Sequence, residues 1–144
     1  MTQLTAGSNP MDPISQAMAQ GPSGWPLAAI HADALAHQIT SASPRATEPI
    51  WINGQMGLLT VLILLAADQA PPATPDLGSV LATLHALGGN EGAALVEAIA
   101  KLPADHPARR AYGPLKSVKS KARASFLVAA NAALHAFADR ALTA

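Results

Sequence analysis

The sequence predicts an all-α fold, a compact bundle of five to six helices around one central apolar helix at about residues 48–69. Three observations carry that expectation. Half of the residues are hydrophobic while aromatics supply only 3%, so the core must be built from Leu, Ile, Val and much Ala, and small side chains let helices approach closely. Twelve prolines and ten glycines fall mainly between the apolar runs and cut the chain into helical blocks. No stretch keeps the period-two alternation of a half-buried strand. At 144 residues the length suits one domain with a real core, expected over residues 25–144.

Residues 1–24 contain Pro10, Pro13, Gly21, Pro22 and Gly24 and read as an extended N-terminal segment, with at most a short turn at 15–19. Pro26 suits the first turn of a helix over about 26–41, whose stripe Ala28, Ala32, Leu35 and Ile39 keeps helical spacing. After a loop at 42–47, Thr47 is placed to cap a second helix reaching Gln69. Between Leu58 and Leu65 that helix is apolar all round, which marks the most buried element. The run "APPATP" breaks it.

Thr74 then reads as a cap, with Pro75 in the first helical position and Asp76 on the N-terminal dipole of a third helix. Leu77, Leu81 and Leu84 line its face, and Gly88-Gly89 stop it. Asn90 is placed to cap a fourth helix with the stripe Leu95, Ile99 and Leu102, ended by Pro103. Glu97 and Lys101 form an ordinary surface pair on it. A short helix fits 106–112, ended by Gly113-Pro114, and a last helix fits about 117–140 with Phe126, Ala130, Ala133 and Phe137 inward. Trp25 and Trp51, at the starts of their helices, read as core anchors.

Several function classes find no support. Without cysteine there is no disulfide framework and no thiolate metal or redox site, which fits a reducing compartment. The opening "MTQLTAGSNP" has neither the basic nor the apolar region of a secretory signal. The apolar run "MGLLTVLILLAA" falls short of the roughly 20 residues a spanning helix needs, being bounded by Asn53, Gln55 and Asp68. A soluble, cytoplasmic domain is expected. None of the patterns GxxxxGK[ST], GxGxxG, GxSxG or HExxH occurs. Asp33 and His37 have metal-ligand spacing, but with no third ligand evident they read as a surface pair. His31 flanks the apolar stripe and reads as half-buried packing. Asn131, between Leu127 and Leu134, needs a hydrogen-bond partner. No catalytic residue, cofactor or metal is expected.

Charge is the uneven feature. The formal net charge is zero, with nine Lys and Arg against nine Asp and Glu, yet "RRAYGPLKSVKSKAR" (109–123) holds six of the cations and no acid. The candidate partner-binding residues are therefore Arg109, Arg110, Lys116, Lys119, Lys121 and Arg123. They lie on both sides of Gly113-Pro114, and helical spacing puts Lys116, Lys119 and Arg123 on one face. Such a face attracts phosphate or an acidic protein in a salt-dependent way; it also fits a merely solvated helix end. Only Tyr112 is at hand for base stacking, and no nucleic-acid recognition module is visible.

Motif order adds a resemblance. "NPMDPIS" (9–15) resembles the Asn-Pro-Leu-Asp type segment that opens the inserted helical domain of type IV secretion coupling proteins, the TraG/TraD-like conjugation ATPases. "HADALAHQIT" resembles the next helix of that family, and "PIWINGQMGLLTVLILLAAD" its aromatic-led buried helix. "KSKARASFLVAANAALHAFADRAL" is similar to its closing helix, with Leu134, Phe137 and Asp139 in a Leu-x-x-Phe-x-Asp pattern. The likeness covers about residues 9–142. Met11 stands where Leu is commoner, the 71–76 loop is proline-rich, and the first eight residues match nothing in the family pattern.

The resemblance implies a division of labour. Such proteins are hexameric inner-membrane ATPases whose RecA-like motor drives transfer, while the all-α domain recognises relaxase, relaxosome or secretion-signal cargo. Lacking motor motifs, this chain is expected to be that domain alone. It would be non-catalytic, without membrane contact, and monomeric by itself. No binding residue of the family transfers by position, so the basic stretch stands on charge alone. The alternative is a stand-alone helical DNA-binding protein using residues 109–123.

Overall fold

The computed structural model describes residues 9–41, 49–69 and 74–143. Among them every regular element is helical: α1 (Asp12–Ala19), α2 (Trp25–Ser41), α3 (Pro49–Ala67), α4 (Leu77–Leu87), α5 (Gly89–Ala100), α6 (Pro107–Tyr112) and α7 (Ser120–Thr143). Short 3-10 turns at Gly21–Gly24 and Gly113–Leu115 precede α2 and follow α6. The expected all-α bundle is what the chain forms, with one more helix than the five to six predicted.

Helix α3 is the hub, packed against α1, α2, α4, α6 and α7. Its residues 58–64 are all buried, so it presents apolar surface in every direction and can be covered only by several partners. Close approach matters here. Gly54 faces α7 so tightly that a Cβ would run into the Phe126 ring. The α2 stripe Ala28, Ala32, Leu35 and Ile39 is buried as its spacing requires. On α7, Phe126, Ala130 and Ala133 are buried and Phe137 packs against them half-buried. On α4 the buried positions are Val80 and Leu84, flanked by half-buried Leu77 and Leu81, so the inward face is rotated from the one expected.

Residues 12–24 depart from expectation: they are helical rather than extended. Pro13 lies in the first turn of α1, where its missing N–H costs nothing, and Met11, Ile14, Ala17 and Met18 are buried. Asn9 fastens the start. Its Oδ1 accepts the Met11 N–H at 2.9 Å while its Nδ2 donates to the Pro75 carbonyl at 2.7 Å, tying the residues just before α1 to the segment before α4.

Two caps also differ from the sequence reading. The N-cap of α4 is Asp76, not Thr74: Asp76 Oδ1 accepts the Ser79 N–H at 2.9 Å and Ser79 Oγ accepts the Asp76 N–H at 3.1 Å. This reciprocal box satisfies two end groups at once. Asn90 does not cap α5. It opens a left-handed turn in which Asn90, Glu91 and Gly92 have φ of 53°, 58° and 82°, after which the helix proceeds with Leu95 and Ile99 inward. Helix α3 ends at Ala67, just short of Gln69, and α7 starts at Ser120 rather than 117. The proposed cap Thr47 and the Trp51 side chain lie outside the described residues.

Candidate partner-binding surface

The basic stretch is divided by its local structure. Pro107 and Gly113-Pro114 bound the short α6, and residues 116–119 form a turn before α7. Lys116 and Lys119 therefore do not share a helix face with Arg123, which corrects the spacing argument. Backbone bonds from Lys116 N–H to the Gly113 carbonyl and from Val118 N–H to the Leu115 carbonyl shape this turn.

Two of the six candidates are turned to internal work. Arg109 Nη1 donates to the Leu102 carbonyl at 2.6 Å, satisfying an acceptor just beyond the end of α5. Arg123 Nε donates to the Glu91 carbonyl at 2.6 Å. Both are half-buried. A guanidinium already bonded to a carbonyl has fewer donors left for an external anion.

Lys116, Lys119 and Lys121 are exposed, and none of them makes a side-chain hydrogen bond or ion pair among the described residues. They surround the start of α7, where the Lys119 carbonyl accepts the Arg123 N–H at 2.9 Å. The first turn of α7 holds no acid. Lysine side chains and unpaired helix N–H groups thus put positive charge in one place.

Arg110 goes elsewhere. It lines a groove of about 610 Å³ between α2 and α6, with Trp25 and Asp33 on one wall, Asp105 and Pro107 on the other, and Thr60 of α3 also contributing. Behind Trp25 lies His106, its ring centroid 5.2 Å from the indole and tilted by 50°. His106 is only 3% exposed. Its Nδ1 accepts the Ala108 N–H at 3.1 Å, capping α6, so the ring proton sits on Nε2 and is donated to Asp68 Oδ2 at 2.8 Å. None of His106, Asp68 and Asp105 stood out as functional in the sequence, where Asp68 only bounds the apolar run. A His directly before the Pro that opens a short helix was the available signal.

Asp33 and His37 are both exposed, and no group of three possible metal ligands occurs among the described residues. Asn131 finds its partner in His85, whose Nε2 lies 3.2 Å from Asn131 Oδ1, bridging α7 to α4 at a half-exposed position. His31 is half-buried as expected. No helix among the described residues is long and apolar enough to cross a membrane. Compared with known proteins, the chain matches no family model, no curated protein and no solved structure.

Proposed function

We propose that this chain is the non-catalytic substrate-recognition domain of a conjugative, type IV secretion coupling protein. It holds relaxase, relaxosome or secretion-signal cargo in the cytoplasm for a membrane-anchored ATPase motor whose motifs it lacks. The order of elements supports this: the segments that resemble the family fall on the start of α1 and on α2, α3 and α7.

The observation that carries a binding role is the placement of Lys116, Lys119 and Lys121. Cations at a helix start oppose its dipole and cost a few tenths of a kcal/mol each, so stability does not account for three of them there. An anionic partner does. Tyr112, the aromatic of the basic stretch, is only 4% exposed and cannot serve as a stacking platform for bases, which favours a protein partner over single-stranded nucleic acid.

The same lysines support one alternative, a stand-alone helical DNA-binding protein reading backbone charge. Immobilised chain is tested for capture of the purified cognate relaxase and of duplex DNA, each across a salt series. Relaxase capture with no ATP hydrolysis supports the recognition domain. Retention of DNA alone, falling steeply with salt, supports the alternative, and capture of neither removes both.

A further inference from the structure

The groove between α2 and α6 is lined by none of the three lysines and carries the opposite charge balance. We propose that it takes an arginine side chain presented by a protein partner. The inference rests on the reading that the chain binds protein, and it assigns a second contact of different chemistry to that role.

Four features select the occupant. Two carboxylates, Asp33 and Asp105, line the groove against the single cation Arg110. Both carboxylates are exposed and make no ion pair among the described residues, so the groove carries an unbalanced negative charge in a neutral chain. Thr60 is 7% exposed and its hydroxyl donates to the Met56 carbonyl at 3.0 Å, which leaves it only acceptor capacity towards a ligand. Trp25 supplies an aromatic wall, held from behind by the His106 ring and flanked by Pro22, Pro26 and Pro107.

Carboxylates, an acceptor hydroxyl and an indole all suit a donor-rich planar cation. A guanidinium can stack on the indole while its fork reaches a carboxylate, which the point charge of lysine does less well. The volume exceeds one side chain, leaving room for flanking backbone. Prolines and a packed Trp lose little freedom on binding, so the wall is ready-made.

The probe is the capped peptide acetyl-Ala-Ala-Arg-Ala-Ala-amide, followed through the Trp25 indole N–H resonance. That resonance is assigned with Trp25→Phe and Trp51→Phe variants. The Arg peptide is expected to move it, while the citrulline and Glu analogues do not. Asp33→Asn with Asp105→Asn weakens binding about tenfold, as two partly exposed charge pairs suggest. Arg110→Ala tightens it about threefold by removing the repelling cation.

That last sign is diagnostic, since an anionic ligand would lose affinity on the same change. An unmoved Trp25 resonance, equal binding of the Glu analogue, or weaker binding by Arg110→Ala overturns the assignment. Relaxase capture that persists alongside any of these results leaves the recognition role standing and removes only the groove. Conversely, the charge-reversed Lys116→Glu, Lys119→Glu, Lys121→Glu variant keeps its affinity for the peptide if the two surfaces are independent. Loss of peptide binding there counts against the groove as a separate site.

Discussion

The Nε of Arg123 on α7 donates to the backbone carbonyl of Glu91 across 2.6 Å, and this bond braces a turn whose residues 90–92 all have positive φ. Left-handed backbone costs a residue with a Cβ roughly 1–2 kcal/mol, and here Asn90 and Glu91 both adopt it. Gly92 closes the turn, where a Cβ would meet Arg123 and Leu127. Arg123→Ala is expected to lower stability by about 2 kcal/mol in chemical denaturation, the scale of a charged hydrogen bond. Glu91→Gly relieves the backbone while keeping the carbonyl, so it should raise stability by about 1 kcal/mol. A loss from Glu91→Gly would count against the strain.

His106 joins three parts of the molecule: it caps α6, donates to Asp68 at the end of α3, and backs Trp25 of α2. His106→Ala removes a cap and a bond to a carboxylate, an expected loss of about 2 kcal/mol. Nitrogen NMR should find the proton on Nε2 and none on Nδ1. A ring protonated on Nδ1 would contradict the geometry.

At Gly54 the absence of a side chain lets α3 and α7 meet. Gly54→Ala forces its Cβ into the Phe126 ring, and overpacking of this kind costs about 1–3 kcal/mol. Combining it with Phe126→Leu should recover part of that loss, seen as non-additivity in a double-mutant cycle. Strict additivity would mean that the two do not touch.

Thr40 is 4% exposed and its hydroxyl finds no hydrogen-bond partner among the described residues. Thr40→Val keeps the shape and removes a buried unpaired polar group, so thermal unfolding should report a gain of about 1 kcal/mol. A loss would show that the hydroxyl is satisfied.

Much of the fold was legible because burial follows period. The stripe of α2 and the inward face of α7 were readable from spacing, since a helix of one apolar face has one way to pack, and an α3 apolar all round can only be central. Local punctuation misled where breakers have two meanings. Pro10, Pro13 and Pro22 suggested an extended segment, yet Pro13 simply starts α1. Thr74-Pro75-Asp76 pointed to Thr74 as the cap, yet the Ser79 hydroxyl bonds back to Asp76 and makes that residue the cap.

The candidate surface was half legible. Clustering of cations is a sequence property, but which of them spend their charge on carbonyls is decided by tertiary packing: Arg123 by the turn at Glu91, Arg109 by Leu102. The groove joins α2 to the segment around 105–111, and Trp25 and Asp105 stand some eighty positions apart, so no local pattern announced them as neighbours.

On the proposed function, Lys116, Lys119 and Lys121 serve a partner at some cost to the stability of α7. The most direct measurement changes all three to Glu and follows stability and relaxase capture together. Opposite signs are expected: unfolding free energy rises by about 1 kcal/mol as the helix dipole meets acids instead of lysines, while capture is lost. Undiminished capture by a folded variant would contradict that role.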